Sequence, residues 1–355
     1  DPWVLTQRGD RLYGRGAADN KGQHSVTLAA LAILLGLRGR LGFNVVFLME
    51  MGEEAGSPGL EAFCQRHAGR LKADVLIASD GPRWSRARPT LFLGARGAMD
   101  VEISVDLRER AYHASNWGGW LRNAGHALAR AITVLTDERG RPTPDAFAVP
   151  AAALAFEGFF NRLIVPEDAG LPAPDPGWGD CEASPAARLL NRNNLEILTL
   201  ELGDPAHLVY ALGPAARALC HISFLPETKP ETLAPAMQAC LTEAGLADVR
   251  VRPTGFIMPA SRTRPDHPVV GWTLRSMRRW SGKDIDFLPN FGGALPNWVF
   301  SDVLGLPTLW IPHSYNGCAQ HSPDEHALVS VLHEGLTVMA GLLGVSGAAA
   351  LGDLA

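Results

Sequence analysis

The N-terminal part of the chain alternates between segments of helical type and segments of strand type. Residues 24–37 carry apolar side chains at helical spacing and are followed by Gly39, a residue that commonly ends helices. Residues 43–50 and 73–80 are continuous apolar runs, which predict strands buried on both faces. Between them, residues 57–69 open with Ser-Pro, a usual start for a helix. This alternation predicts a parallel α/β sheet.

The middle of the chain has a different pattern. Residues 99–107 alternate apolar and polar positions with period two, which is typical of a strand with one solvated face. Further strands are predicted at 195–202, 216–225 and 248–253, and helices at 119–135 and 230–244. These elements indicate a module of the α+β class.

Beyond residue 265 the buried α/β character returns, with a helix at 269–280, a strand at 306–312 and a helix at 323–343. The simplest organisation is a discontinuous, parallel-rich sheet domain flanked by helices and interrupted by an inserted α+β domain. We assign residues 1–95 and 262–355 to the sheet domain and residues 96–261 to the insertion. An insertion of that length lies within the common size range of a domain.

Composition narrows the classes of function. A net charge of −5 gives no sign of nucleic acid or an anionic membrane as a partner, and no apolar run reaches the length of a membrane span. The five cysteines form no Cys-x-x-Cys pair, which fits a reducing compartment and predicts a cytoplasmic protein. The chain begins at Asp1 in sequence typical of a domain interior. We therefore expect a further N-terminal segment, in which any targeting signal would lie.

A glycine-rich stretch at residues 12–22, LYGRGAADNKG, is compatible with three kinds of site. A phosphate-binding loop requires Ser or Thr after its lysine and a buried strand before its glycines. Here Gly22 follows Lys21, and the preceding residues TQRGDRLY are too polar for such a strand. A plain glycine turn and a part of a metal site remain as interpretations.

Acidic residues and a histidine follow the predicted buried strands. Glu53 and Glu54 follow the first strand, Asp80 ends the second and His321 comes after the last, while Asp19 precedes the first helix. Because functional groups gather at the carboxyl ends of parallel strands, we expect these side chains to meet at one sheet edge. Crowded carboxylates need a cation, and aspartate, glutamate and histidine are zinc-type ligands. Each residue alone is also compatible with a solvated loop, a turn or a helix start.

Six segments carry a resemblance to a known family: YGRGAADNKG, EMGEEAGSPGL, ASDGP, HASNWGG, FGGALP and AQHSPDE. They span nearly the whole chain. In these motifs the chain resembles the co-catalytic zinc metallopeptidases, a family that includes aminoacylase, acetylornithine deacetylase, carboxypeptidase G and the carnosine-type dipeptidases. FGGALP and HSPDE are most similar to the dipeptidase branch. The resemblance implies an α/β catalytic domain and an inserted lid and dimerisation domain, which would be residues 96–261.

The resemblance also implies a role for each candidate site residue. Asp19 would bridge two zinc ions, Glu54 and His321 would bind one of them, and Asp80 the other. Glu53 would be the general base that takes a proton from metal-activated water, a task that suits a glutamate beside a metal. His313 is a rival to His321, although HSPDE fits the family pattern better.

The lid would add a further catalytic group. His113 would reach an active site, that of the partner subunit in a homodimer formed through the inserted domain, and stabilise the oxyanion. Taken alone, a histidine followed by a small residue is also compatible with a purely structural role.

The implied function is metal-dependent hydrolysis of an amide or peptide bond in a small substrate, either a dipeptide or a C-terminal residue. An N-acyl amino acid deacylase with the same site is the alternative. The family carries a zinc-binding His-x-Asp motif upstream of the glycine-rich stretch, and this chain begins after that position. We therefore expect one zinc in this chain rather than two, with cobalt or manganese as other possible metals. A non-catalytic binding or scaffold protein is the second alternative, which would apply if the protein truly lacks the upstream His-x-Asp motif.

Overall fold

A computed structural model describes residues 1–166, 172–204 and 206–345. Its helices are α1 (Lys21–Arg38), α2 (Leu60–His67), α3 (Ala114–Trp117), α4 (Ala124–Leu135), α5 (Ala151–Leu154), α6 (Glu157–Phe160), α7 (Pro185–Leu190), α8 (Leu233–Glu243), α9 (Pro268–Ser281) and α10 (Val329–Val345). Its strands are β1 (Thr6–Arg8), β2 (Arg11–Tyr13), β3 (Leu76–Ala78), β4 (Pro82–Arg83), β5 (Thr90–Phe92), β6 (Gly94–Asp106), β7 (Tyr112–His113), β8 (Asn194–Glu201), β9 (Ala211–Leu212), β10 (Ala215–Phe224), β11 (Val249–Met258), β12 (Ser261–Arg262), β13 (Asp286–Leu288), β14 (Phe291–Ala294), β15 (Thr308–Trp310), β16 (Ser314–Tyr315) and β17 (His326–Leu328). Within the described ranges, no helix combines the length and the apolar character needed to cross a membrane.

One layer is a four-stranded sheet in the order β13-β5-β15-β3. Two of its pairs are parallel, β13 with β5 and β15 with β3, and β15 meets β5 antiparallel. Helix α1 buries residues three or four positions apart, namely Gln23, Val26, Ala30 and Leu34, so that a single stripe faces the core. That core also contains apolar residues of β5, β15, α9 and α10.

A second core belongs to an antiparallel sheet in the order β11-β6-β10-β8, covered by α4 and α8. Strand β10 pairs with β6 from Ala215 opposite Asp106 to Phe224 opposite Gly97. The apolar side chains of β6 and β10 that face α4 and α8 form this core, as the period-two pattern predicts. The α/β class with a separate α+β module is thereby confirmed.

Strand β6 follows β5 of the four-stranded sheet directly in the chain and runs into the antiparallel sheet. Its first residues pair with β12 and β14, and its later residues pair with β10 and β11. The division of the chain at residues 95/96 and 261/262, which falls within β6 and β12, stays a prediction. Residues 346–355 of the predicted sheet domain, and residues 167–171 and 205 of the predicted insertion, lie outside the described part of the chain.

The predicted strand at residues 43–50 differs from its expected form. In the described chain it pairs with no strand, and Val46, Phe47 and Met49 are exposed. At its two ends, Phe43 packs against the core that α1, α9 and α10 share, and Leu48 packs against the small cluster around Leu60. The apolar run predicts a strand that is covered on both faces. The sheet as described ends at β3, so this segment has no neighbouring strand and lacks the cover that burial requires.

Three helix starts also lie later than predicted. Helix α2 begins at Leu60 rather than at residue 57, because Ser57 and Gly59 have φ angles of 53° and 83°. Helix α4 begins after Asn123, whose side chain accepts hydrogen bonds from the first turn. Helix α10 begins at Val329 because the three residues before it pair with β2 as β17.

Candidate metal centre

Asp19 lies in the glycine-rich loop between β2 and α1. Gly16 has a φ of 86°, and a Cβ at Gly22 would lie 2.0 Å from the carbonyl oxygen of Ala17, so the loop packs tightly on the start of the helix. The Asn20 side chain donates to the carbonyl oxygen of Ser79 at 2.8 Å, next to Asp80. The glycine-rich stretch is therefore a turn, and it carries Asp19 towards the end of β3.

Glu53 and Glu54 begin a short 3₁₀ helix, Glu53–Ala55, flanked by Gly52 and by Gly56 in the left-handed conformation. The tight turn sends the two neighbouring carboxylates to different surroundings. Glu53 is half-buried, whereas the side chain of Glu54 is 61% exposed. Two adjacent glutamates therefore have distinct environments, as different roles would require.

Three ligand-type atoms converge at this edge of the sheet. His321 Nε2 lies 2.8 Å from Asp19 Oδ2 and 3.0 Å from Glu54 Oε1, and the three atoms lie within 4.8 Å of one another. Gln320 Nε2 also donates to Asp19 Oδ2, at 2.6 Å. The pairing of β2 with β17 brings the two loops together, since β2 leads into the Asp19 loop and β17 follows His321. A carboxylate pair and an imidazole in this arrangement could hold a divalent metal.

The remaining predicted acids lie beside this group. Asp80 Oδ1 accepts from the Gly81 N–H at 2.6 Å. Burial and, to a lesser extent, the nearby carboxylates of Asp19 and Glu54 raise the pKa of Asp80 to about 6, against the opposing effect of the hydrogen bonds from Gly81 and Asn20. The three-ligand group does not include Asp80.

The pKa of the Glu53 carboxyl group is raised as well. Burial, and then repulsion from Asp80, Glu54 and Asp19, raise its pKa to about 7. Burial alone would lower the pKa of His321, but the carboxylates of Glu54 and Asp19 raise it. The acids thus face one shared space, where a cation would relieve their repulsion.

His313, the rival ligand, does not join the group. Its side chain is fully buried, and a Cβ on Gly335 of α10 would lie 2.5 Å from its Nδ1. Burial lowers its pKa to about 3, and the charge of Arg83 acts in the same direction. The ring therefore faces α10 as a neutral imidazole.

His113 lies in the antiparallel module, on β7, where it pairs with Ala211 of β9. It is exposed, and within the described chain no hydrogen bond or ion pair joins it to Asp19, Glu54 or His321. Its surroundings are rich in exposed apolar side chains, including Trp120. The structure thus brings together Asp19, Glu54 and His321, with Glu53 and Asp80 beside them, and leaves His113 apart.

Two polar residues that support the site carry no signature in the sequence. Gln320 contacts the Asp19 carboxylate, and Asn20 connects the same loop to the end of β3. Amide side chains are common in loops, so neither residue type predicts such a role. Their position directly beside two candidate ligands is the one feature that could have identified them.

Similarity to known proteins agrees with this arrangement. The chain is 30% identical over 304 residues to a cysteinylglycine-S-conjugate dipeptidase of Corynebacterium striatum, a match that covers 83% of this chain and 65% of that protein. It is 34% identical over 142 residues to a Beta-Ala-His dipeptidase of Rattus norvegicus, covering 39% of this chain and 29% of that protein. The chain thus spans somewhat less than two thirds of the length of the bacterial relative.

A similar fold is found in an M20 family metallo-carboxypeptidase from Sulfolobus solfataricus. The TM-score is 0.79 at 24% sequence identity, over 97% of this chain and 79% of that structure. The family model for peptidase family M20/M25/M40 matches residues 1–344. This match confirms the resemblance drawn from the six motifs, and the chain belongs to peptidase family M20/M25/M40.

Proposed function

We propose that the protein is a metal-dependent peptidase that hydrolyses the amide bond of a small peptide. The observation that carries this proposal is the convergence of Asp19 Oδ2, Glu54 Oε1 and His321 Nε2 within 4.8 Å. Family membership supports a peptidase, and the names of the two relatives, both dipeptidases, favour a dipeptide as the substrate.

The donor set fits zinc. One imidazole nitrogen and two carboxylate oxygens would bind an ion and leave a position open, as in catalytic zinc sites. Asp80 lies next to this group, but Asp19 and Asp80 alone would be too few ligands to bind a second ion tightly, so we expect one tightly bound ion per chain. A bound metal would act as a Lewis acid on water and on the amide carbonyl. Cobalt and manganese accept the same kinds of ligand.

Glu53 would transfer a proton from the attacking water to the leaving nitrogen. It lies beside the three ligands but is not one of them, so its carboxylate is free to accept a proton from the attacking water. As the water oxygen bonds to the amide carbon, Glu53 takes its proton and then passes it to the leaving nitrogen. The C–N bond breaks, and a carboxylate and an ammonium group are released, because the second proton of the water also passes to the amine.

His113 would stabilise the oxyanion of the tetrahedral intermediate from a neighbouring subunit. Within the described part of its own chain, no hydrogen bond or ion pair joins it to the ligand group, and it lies on a module with much exposed apolar surface. Strand β8 forms one edge of the module's sheet and exposes Leu198 and Leu200, at 57% and 62%. A long apolar strand edge is usually covered, and a symmetric second copy would cover it. The proposed assembly is a homodimer through residues 96–261.

Hybrid dimers test this role of His113. Subunits with His113→Ala and subunits with Glu53→Gln, each inactive alone, are co-expressed with different tags and purified through both tags. A hybrid dimer has one composite site with both residues intact, so we expect about half of the wild-type activity per dimer. Hybrid dimers as inactive as the parent variants would contradict action between subunits.

A metal and substrate panel tests the function itself. The purified full-length protein is stripped with a chelator and then supplied with zinc, cobalt or manganese. We expect metal-dependent hydrolysis of cysteinylglycine or β-alanyl-histidine and loss of activity on renewed chelation. Faster turnover of N-acetyl amino acids would establish the deacylase alternative. Zinc binding without turnover of either class would establish a non-catalytic protein.

A further inference from the structure

Glu325 is a buried carboxylate bound to the loop that carries Asp19. Its side chain is 3% exposed. The Oε1 atom accepts hydrogen bonds from the backbone N–H groups of Gly16, Ala18 and Asp19 at 3.1, 3.0 and 2.9 Å. The Oε2 atom accepts from Gly16 N–H at 3.1 Å and from Arg15 Nη1 at 2.8 Å. The carboxylate therefore satisfies three backbone N–H groups of one short loop.

The loop is shaped around this anion. Gly16 has a φ of 86°, a left-handed conformation that lets neighbouring N–H groups point into one concavity. Gly16 and Ala18 are themselves buried, so their N–H groups depend on an internal acceptor. A buried donor without a partner costs about 1–3 kcal/mol, and bonds to a charged acceptor are stronger than neutral ones.

Glu325 also connects two of the candidate metal ligands. It lies four positions after His321, and its backbone carbonyl accepts from Gly14 N–H at 3.1 Å. Both its side chain and its backbone thus bind the segment that precedes α1. The Asp19 N–H itself donates to Glu325, so the position of the Asp19 backbone is set from the loop that carries His321.

We propose that Glu325 is a positioning residue that holds Asp19 Oδ2 at metal-binding distance from His321 Nε2. The proposal rests on the proposed function, in which these two residues bind the metal. Glu325 would not touch the metal or the substrate. Without it the loop of Gly16 to Asp19 would lose its internal acceptor, and the ligand group would no longer be preorganised.

Glu325→Gln is the main test variant, because it keeps the shape of the side chain and removes its charge. We expect the dissociation constant for zinc to rise by about 10–100-fold, the usual cost of losing a residue that orients a metal ligand. In the metal-free protein, we expect faster hydrogen exchange at the amides of Gly16, Ala18 and Asp19. This second measurement does not depend on activity or on metal.

Glu334 offers a matched control. It is a largely buried carboxylate of α10 that pairs with Arg83 at 2.5 Å and Lys283 at 2.6 Å, away from the Asp19 loop. Glu334→Gln should lower the stability of the fold without changing zinc affinity or amide exchange in residues 16–19. A merely structural role for Glu325 predicts the same behaviour for both variants.

A rescue experiment distinguishes a positioning role of Glu325 from a general loss of structure. Glu325→Ala removes the carboxylate and leaves room for a small anion, so added acetate should restore zinc affinity in part. If Glu325→Gln does not fold, Glu325→Asp retains the charge and is measured in the same way. It should bind zinc more weakly than the wild type because its carboxylate is set back by one methylene.

The outcomes distinguish the two proposals. A wild-type protein that binds no zinc contradicts the proposed function. A wild-type protein that binds zinc, together with a Glu325→Gln variant whose zinc affinity and loop exchange are unchanged, overturns the role of Glu325 alone. Equal losses of zinc affinity in the Glu325 and Glu334 variants would also overturn it.

Discussion

Replacing Glu53 with Gln should abolish peptide hydrolysis and leave the metal content unchanged. The amide cannot accept a proton from water, and loss of a general base typically lowers kcat by about 10²–10⁴-fold. Glu53 is not one of the three converging ligands, so its substitution leaves their donor atoms in place. The measurements are kcat on the best substrate of the panel and zinc per chain by elemental analysis.

Glu61→Gln is the control for this substitution. Glu61 lies on the exposed face of α2, where its carboxylate accepts a hydrogen bond from Gln65 at 2.8 Å. The same chemical change there should alter neither kcat nor metal content. A Glu53→Gln protein with near-normal kcat would show that another group takes the proton.

Replacing Asp19 with Asn should remove the metal and, with it, the activity. The Asp19 side chain is only 9% exposed, and its Oδ2 is the atom nearest to His321 Nε2. An amide oxygen carries no charge and is a much weaker ligand for a divalent cation. Loss of a residue that merely orients a metal ligand lowers affinity by about 10–100-fold, and we expect a larger fall in zinc affinity here. Competition with a chromophoric chelator measures this change.

Asp74→Asn provides the comparison. Asp74 is exposed and lies just before β3, close in sequence to the site but outside the ligand group. The Asp74→Asn protein should bind zinc as tightly as the wild type does. Wild-type zinc affinity in the Asp19→Asn protein would exclude Asp19 as a ligand, and with it the proposed bridging role.

Much of the fold and of the candidate site follows from local pattern. The apolar spacing before Gly39 predicts α1, which ends there in the left-handed conformation. The rule that functional groups gather beyond strand ends places Glu54 and His321 in one hypothesis, which Asp19 joins from the start of α1, and the three side chains do converge, although residues 43–50 before Glu54 pair with no strand in the described chain. Both inferences need only neighbouring residues and the general geometry of sheets.

Other features depend on partners that are distant in the sequence. Residues 43–50 have the composition of a buried strand, yet burial depends on neighbouring strands, and among the described residues β3 pairs with β15 alone. Glu325 meets Gly16 across 309 positions of the chain, and no spacing rule connects the two. The buried, neutral state of His313 likewise follows from packing against α10 rather than from its own sequence context.

The distance in sequence between the ligands has a consequence for folding. Asp19 and His321 are 302 residues apart, so their meeting closes a loop that contains most of the chain, the antiparallel module included. The site therefore assembles only after the segments on both sides of that module have docked. Zinc would bind the native state far better than any partly folded one, and at 100 times its dissociation constant it would add about 2.7 kcal/mol to the free energy of unfolding. Metal supply would thus set the stability of the folded protein as well as its chemistry.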